Sequence, residues 1–144
     1  MYTYTGAYND LHPLLEQVDK LTLELTGTGY GSTGSQQEHV RSLYFPLLGH
    51  IFTGAWAYAM VVSVLPGGSL PAHCDGVLPP GFTRYHLVLQ TNPRAWNYHD
   101  GTWQRLTPGG IYTLDPTLEH GAINWGEKPR IQLAIDMRPE DLSL

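Results

Sequence analysis

The segment LPAHCDG, residues 70–76, places a histidine, the only cysteine of the chain and an aspartate side by side. On an extended chain, residues two apart point to one face, so His73 and Asp75 would face one way and Cys74 the other. We expect Cys74 to be a small packing residue, because free cysteine is commonly buried. A distal histidine, His120, lies in DPTLEHGAINW. Two histidines and one carboxylate can bind one face of a metal ion and leave its other positions open, which suits Fe(II) enzymes that admit O₂ and a co-substrate.

Two strand-like segments place an arginine opposite their apolar residues. Arg130 lies ten residues after His120 and opens RIQLAIDM, whose apolar residues share the opposite face. An arginine that points into a barrel is costly unless it meets an anion, and a dicarboxylate could accept it through bidentate hydrogen bonds. In TRYHLVL, Arg84 and His86 alternate onto one face in the same way. That face is either the wall of an anion site or the solvent side of an outer strand.

The order of the segments predicts two helices followed by a β-rich body. Leucines repeat at helical spacing in NDLHPLLEQVDKL, and in SQQEHVRSLY Ser35 and Glu38 are spaced as a capping box. Both helices are expected to be packing elements within residues 1–52. Residues 53–139 contain short aromatic or β-branched runs separated by Pro, Gly and Asn, and HDG is a turn signal between two of them. This spacing predicts an antiparallel sandwich or barrel.

Length and composition narrow the class of protein. The 144 residues fit one domain, with 42% hydrophobic and 15% charged residues. A net charge of −5, without a clustered basic face, argues against a nucleic-acid partner. The N-terminus lacks the features of a signal peptide, and no apolar run is long enough to span a membrane. We therefore expect a cytoplasmic protein with no nucleic-acid partner and no membrane association.

Four segments taken together resemble a known family. They are SVLPGGSLPAHCD, RYHLVL, LDPTLEHGAINW and PRIQLAIDMRP, which occur in this order over roughly residues 60–139. An HxD pair, a distal histidine and an arginine ten residues further on resemble the Fe(II)/2-oxoglutarate-dependent oxygenases. Within that superfamily the segments are most similar to the aspartyl/asparaginyl β-hydroxylase-like branch. The fold that this resemblance implies is mainly β, a double-stranded β-helix (a jelly-roll or cupin-like barrel) with the two N-terminal helices packed on it, forming a single dioxygenase domain over residues 1–144.

The resemblance also implies roles for individual residues. The metal ligands for Fe(II) would be His73, Asp75 and His120. Arg130, helped by the Ser63 hydroxyl, would bind the distal carboxylate of 2-oxoglutarate, and Arg84 and His86 would lie near its metal-chelating end. With O₂ as co-substrate, 2-oxoglutarate would be converted to succinate and CO₂ while an unactivated C–H bond is hydroxylated. The substrate implied is an aspartyl or asparaginyl residue or another amino acid, peptidyl or free, with Trp125 and Trp96 as candidate contacts.

Other functions remain open from the residues alone. A cupin-like binding protein or isomerase could use the same ligands for Zn, Mn or Ni without 2-oxoglutarate, but Arg130 and Arg84 would then have no role. A protein whose site is inactive would not need the full ligand set. A zinc hydrolase is possible from the ligands, although no HExxH helix is present. A Cys–His dyad is disfavoured, because Cys74 and His73 are adjacent and point apart on a strand.

Overall fold

The computed structural model describes residues 1–19, 24–25, 33–39 and 58–142. No helix among these residues is long and apolar enough to cross a membrane. Their regular structure is one α-helix, ten strands and a short 3-10 helix at Pro139–Asp141. In chain order the elements are β1 (Thr3–Ala7), α1 (His12–Asp19), β2 (Glu24–Leu25), β3 (Thr33–His39), β4 (Tyr58–His73), β5 (Thr83–Gln90), β6 (Ala95–His99), β7 (Thr102–Gln104), β8 (Gly110–Leu114), β9 (His120–Asn124) and β10 (Arg130–Met137).

The strands form one curled antiparallel sheet. Its order is β1-β8-β5-β10-β4-β9-β6-β7, and β3 pairs with β4 as well as with β2. The first half of β4 pairs with β10 and its last part pairs with β9, so this 16-residue strand runs from one half of the sheet into the other. The prediction of a mainly β, antiparallel body is therefore confirmed.

The two predicted N-terminal helices have different outcomes. The first is present as α1, but the second is wrong, because residues 33–39 form β3. Ser35 and Glu38, spaced as a capping box, lie within this strand, and the register pairs them with Val64 and Val61 of β4. A strand needs partners for its backbone N–H and C=O groups, and pairing with β4 overrides the weak local preference for a helix. The remainder of the predicted helix, residues 40–44, lies outside the described residues.

The two faces of β5 and β10 have opposite character, as their alternation predicts. On one face, buried apolar side chains pack with Leu14 and Leu15 of α1. This apolar core includes Val61, Tyr85, Leu87, Leu89, Ile131, Leu133, Ile135 and Met137. The other face is the interior of the curled sheet, where Arg84, His86, Arg130 and Gln132 carry hydrogen bonds. The main apolar core therefore lies outside the curl, whereas the interior carries these polar groups beside a second, smaller apolar cluster that includes Val88, Tyr112 and Leu114.

The HDG turn is confirmed between β6 and β7. Asp100 and Gly101 have φ angles of 46° and 83°, so both central residues of the turn are left-handed. This is the conformation that a two-residue hairpin requires, and it explains the aspartate–glycine pair. On its other edge, β6 pairs with β9, which carries one of the candidate metal ligands.

Candidate functional site

The three predicted ligands meet where β4 ends and β9 begins. His73 is the last residue of β4, and its antiparallel partner is His120, the first residue of β9. Asp75 follows β4, and its backbone N–H donates to the carbonyl of Pro116 at 2.8 Å. The potential ligand atoms of His73, Asp75 and His120 all lie within 4.8 Å of one another. We call these three residues the triad. Cys74 lies between two of them but is exposed, which corrects the expectation that it is a packing residue.

Both histidines turn the same ring nitrogen toward Asp75. His73 Nδ1 donates to the carbonyl of Pro71, and His120 Nδ1 donates to that of Leu118, each at 2.9 Å. A hydrogen held at Nδ1 leaves Nε2 with a lone pair, the form in which imidazole binds a metal. Burial lowers the pKa of His73, which favours its neutral ring.

The spacing inside the triad calls for a cation. His120 Nε2 lies 3.0 Å from Asp75 Oδ2, and His73 Nε2 lies 3.8 Å from Asp75 Oδ1. With Nδ1 protonated on each ring, these contacts set lone pairs against a carboxylate, so a proton or a metal ion must lie between them. Two imidazoles and one carboxylate, all from one small area, fit a divalent transition metal. The triad is therefore a suitable metal site.

Arg84 links the triad to a second carboxylate. Its Nη1 donates to Asp75 Oδ2 at 2.6 Å, and its Nε and Nη2 donate to the two oxygens of Asp136 at 2.7 and 2.8 Å. We call Asp75, Arg84 and Asp136 the carboxylate cluster. Burial alone would raise the pKa of Asp75, but the hydrogen bond with His120 and the charge of Arg84 hold it well below its usual range. His120 and Arg84 together thus favour the ionised form of Asp75.

Asp136 was not assigned to the site from the sequence. The signal was present, because Asp136 shares a strand face with Arg130 and pairs in register with Arg84. The solvent-side alternative for Arg84 and His86 is wrong, since the Arg84 side chain is only 11% exposed and His86 lies against Gln132.

Arg130 enters the interior at the opposite end of β10, and its hydrogen-bond partners in the described part of the chain are neutral side chains. Its Nε and Nη2 donate to Asn97 Oδ1 at 3.1 and 2.5 Å, and Nη2 also donates to Gln132 Oε1 at 2.7 Å. Gln132 accepts a further hydrogen bond from His86 Nδ1 at 2.8 Å. We call Asn97, Arg130, Gln132 and His86 the amide cluster. Among the described residues, Arg130 has no carboxylate partner, although it is only 3% exposed.

Burial shapes the charges of the amide cluster. It lowers the pKa of Arg130 to about 10, so the guanidinium remains charged at neutral pH. Burial also lowers the pKa of His86 to about 3, and the nearby charges of Arg130 and Arg84 act in the same direction. His86 is therefore neutral. The cluster carries one positive charge and no negative one, so it favours an anion.

The structure does not bring Ser63 to Arg130. Ser63 pairs with Ile131 in the antiparallel register, whereas Arg130 pairs with Val64. Paired residues share a face of the sheet, so Ser63 lies on the side of the apolar core and Arg130 lies in the interior. A shift of one residue along β4 changes the face, which is why the role that the resemblance implied for Ser63 does not fit this register.

A cleft of about 730 Å³ opens beside the carboxylate cluster. Residues 77–84 form one wall and residues 113–117 another, and His99 also lines it.

The sequence did not indicate that Tyr2 belongs to the interior. Its buried ring lies edge-on to His86 and His99, with centroids 5.7 and 5.8 Å away. Two hydrogen bonds between the Tyr2 backbone and the Gln104 side chain, of 2.6 and 3.1 Å, hold it there.

The two tryptophans proposed as substrate contacts lie together, but outside the interior. Trp96 precedes Asn97 on β6 and so points to the opposite face of the sheet. Together with Trp103, Ile123 and Trp125 it lines an apolar pocket of about 350 Å³. Arg105 lies over the Trp96 ring, 5.1 Å from its centroid. This pocket is separated from the triad by the thickness of the sheet.

Comparison with known proteins agrees with this geometry. Residues 35–139 match the model of the family described as Aspartyl/Asparaginyl beta-hydroxylase. The chain belongs to this family. A curated relative is the L-proline cis-4-hydroxylase of Rhizobium meliloti, which is 34% identical over 88 residues. Those residues make up 60% of this chain but 31% of that protein, so the chain spans about a third of its length.

Solved structures show the same fold. HygX from Streptomyces hygroscopicus, solved with nickel, 2-oxoglutarate and hygromycin B bound, has a TM-score of 0.63 at 9% identity and covers 91% of this chain and 79% of its own. The Cnp3 cupin domain of Schizosaccharomyces pombe has a TM-score of 0.56 at 10% identity and covers 85% and 72%. At these identities the likeness concerns the fold alone. This likeness of fold confirms the predicted cupin-like, double-stranded β-helix architecture of the chain.

Proposed function

We propose that this chain is an Fe(II)- and 2-oxoglutarate-dependent dioxygenase that hydroxylates an unactivated C–H bond of an amino-acid substrate. The observation that carries the proposal is the buried guanidinium of Arg130, which has no carboxylate partner among the described residues. A buried, unpaired cation is costly, and a carboxylate of a bound ligand would remove that cost. The triad supplies the metal site in the same interior.

The residues would divide the work between two ends of the co-substrate. His73, Asp75 and His120 would hold Fe(II), which when bound supplies the activation of O₂ and of 2-oxoglutarate. Arg84 keeps Asp75 ionised and oriented, because it donates to Oδ2 while Asp136 holds its other nitrogens. Arg130 would bind the distal carboxylate. Its neutral partners fix the guanidinium without cancelling its charge.

The substrate that we propose is an amino acid or an amino-acid residue in a peptide. The family description names aspartyl and asparaginyl hydroxylation, and the relative in Rhizobium meliloti is named for L-proline. The cleft of about 730 Å³ beside Arg84 has room for a free amino acid or for an amino-acid residue of a peptide. Its wall, residues 77–84, includes most of the GVLPPGFT segment (residues 76–83) that directly follows Asp75, so this segment is the candidate for selecting the substrate.

An anaerobic titration of the Fe(II)-loaded protein with 2-oxoglutarate tests the proposal. We expect a saturable metal-to-ligand charge-transfer band in the visible spectrum. The band should disappear in Arg130→Ala at the same co-substrate concentration, and iron binding should be retained. Arg138→Ala is the control, because Arg138 is an exposed arginine with carboxylate partners outside the site.

The contrary result is equally clear. Iron bound without any band would contradict a 2-oxoglutarate enzyme and would favour a cupin-like metal-binding protein or isomerase that uses the triad alone. Activity is the second check, since His73→Ala should no longer consume 2-oxoglutarate. Turnover at the normal rate in that variant would remove His73 from the metal site.

A further inference from the structure

Asn97 occupies a central position in the amide cluster. It is 0% exposed, and its Oδ1 accepts hydrogen bonds from Arg130 Nε and Nη2 and from Gln132 Nε2, the last at 3.0 Å. Three donors converge on this oxygen, so the amide orientation is determined: with the nitrogen in its place, donors would face donors. The Asn97 oxygen thus fixes the position of the guanidinium.

The other end of the same amide has no partner. Asn97 Nδ2 is buried, and no group among the described residues accepts a hydrogen bond from it. Buried polar atoms are nearly always paired, and leaving a donor without an acceptor costs free energy. The position of Nδ2 is set by the three bonds to Oδ1, so it cannot turn away to find another acceptor. An acceptor from a ligand would satisfy it.

A second unpaired atom lies on the same face of β6. His99 is two residues after Asn97, and its Nδ1 is also buried without a partner. Its Nε2 donates to the carbonyl of Asp115 at 2.9 Å, so Nδ1 is an acceptor. The inner face of β6 therefore offers one unused donor and one unused acceptor. Two such atoms on one strand face indicate that this face meets a ligand rather than that a single bond is missing.

We propose that Asn97 is a ligand-binding residue of the site: its oxygen positions Arg130, and its Nδ2 donates to the carboxylate that the guanidinium binds. The inference rests on the proposed function and adds a residue to it. The neutrality of the amide is essential. An aspartate would offer the same acceptor to Arg130, but its second oxygen would replace the Nδ2 donor and would cancel the positive charge that attracts the ligand.

Asn97→Asp tests this directly, because it changes one atom and leaves the shape of the side chain intact. We would titrate the metal-loaded, anaerobic protein with 2-oxoglutarate by calorimetry and measure thermal unfolding without ligand. The affinity for 2-oxoglutarate should fall by about 100-fold or more, since a donor is lost and a like charge is introduced. The unfolding temperature without ligand should not fall, because the introduced carboxylate pairs with a cation that had none.

Asn124→Asp is the matched control. Asn124 is also 0% exposed, on the neighbouring strand β9, but its Nδ2 donates to the carbonyls of Val64 and Lys128 at 2.9 and 2.8 Å. Replacing that nitrogen by oxygen should lower the unfolding temperature and leave the affinity of the folded protein for 2-oxoglutarate unchanged. The two variants thus have opposite signatures: Asn97→Asp should lose affinity and keep its stability, whereas Asn124→Asp should lose stability and keep its affinity.

Asn97→Ser covers the case in which Asn97→Asp does not fold. It removes Nδ2 without adding charge, and the hydroxyl of the shorter serine side chain cannot take the place of the amide nitrogen, so the affinity should fall by about tenfold. Wild-type affinity in either folded variant would overturn the inference and leave the proposed function standing. If the wild-type protein binds metal but no 2-oxoglutarate, the proposed function itself is overturned, and the role of Asn97 with it.

Discussion

Two polar clusters lie in the same interior, and each contains one arginine, but their charges are balanced differently. In the carboxylate cluster, Arg84 donates to two carboxylates, with bidentate bonds to Asp136 and a third bond to Asp75. In the amide cluster, Arg130 donates to Asn97 and to Gln132, which are neutral. Carboxylates of the protein balance the charge of Arg84, whereas no carboxylate among the residues that the structure describes balances that of Arg130.

Under the proposed function, the difference separates an arginine that builds the site from one that would bind a ligand. A buried ion pair keeps a side chain in place and needs nothing further. A buried cation held only by amides is equally well placed, but no negative charge balances it. Identical residue types on neighbouring strands therefore serve different purposes, and the partners of each guanidinium decide which.

Arg84→Met is the variant with the largest expected effect on stability. It leaves Asp75 and Asp136 in the interior without their cation, and removal of one partner of a buried ion pair typically costs about 3–5 kcal/mol. We expect the free energy of unfolding, measured by denaturant titration of the metal-free protein, to fall by an amount toward the lower end of that range, because Asp75 is partly accessible.

Two controls make this result specific. Arg138→Met removes an exposed arginine that also has carboxylate partners, and it should change stability by less than about 1 kcal/mol. Arg130→Met should not destabilise the metal-free protein in the way that Arg84→Met does, because it strands no carboxylate and removes a buried charge. Equal losses for Arg84→Met and Arg130→Met would show that the two clusters do not differ in charge balance.

Much of this architecture could be predicted from alternation along the strands. The faces of β5 and β10 follow a period of two, so Arg84, His86 and Arg130 could be placed opposite the apolar residues. The second helix could not be excluded, because residues 35–38 carry a genuine local helix signal and only pairing with β4 overrides it. Local patterns predict the secondary structure that a segment favours alone. Strand partners that are distant in sequence decide which structure it adopts.

The residues of the candidate site also fall into two groups, those that the sequence could predict and those that it could not. The triad was predictable, since HxD followed by a distal histidine is a recognisable motif. Its three residues also lie close together in the fold. Asn97, His99 and Tyr2 were not, because an asparagine, a histidine and a tyrosine in short strands have no distinctive spacing. They reach the interior through the β6–β9 register and through the hydrogen bonds of Tyr2 with Gln104, which only the folded chain shows.

Gly121→Ala tests the support of the triad, with a smaller expected effect. Gly121 follows His120, and a Cβ built there would clash with the carbonyl oxygen of Leu70 in β4. The backbone of β4 must shift, and β4 carries His73. We expect a loss of about 1–3 kcal/mol in stability and a decrease of roughly 10–100-fold in Zn(II) or Ni(II) affinity, measured by competition with a chelator.

Gly76→Ala is the matched control for this variant. It lies directly beside Asp75, but a Cβ there would meet nothing within 4 Å. Metal affinity should remain that of the wild type. If Gly121→Ala also binds metal normally, close contact between β4 and β9 is not what holds the two histidines in position.

His86→Gln should have the smallest effect at neutral pH, because the contribution of His86 to the pH dependence of stability appears only as the pH falls below 6.5. The pKa of His86 is about 3 in the folded protein, against 6.5 for the free side chain, because burial and the nearby arginines disfavour its charged form. Below pH 6.5 the His86 side chain binds a proton in the unfolded chain but not in the folded protein. His86 therefore contributes a loss of stability of up to about 1.4 kcal/mol per pH unit as the pH falls from 6.5 toward 3.

Glutamine keeps a polar group beside Gln132 but cannot titrate, so His86→Gln should have a shallower decline in unfolding free energy between pH 6.5 and pH 4.5. His12→Gln is the control, since His12 is exposed and remote from the interior, and it should keep the wild-type slope. An unchanged slope in His86→Gln would mean that His86 accepts a proton in the folded state. The amide cluster would then carry a second positive charge at low pH, and its affinity for a dicarboxylate should increase as the pH falls.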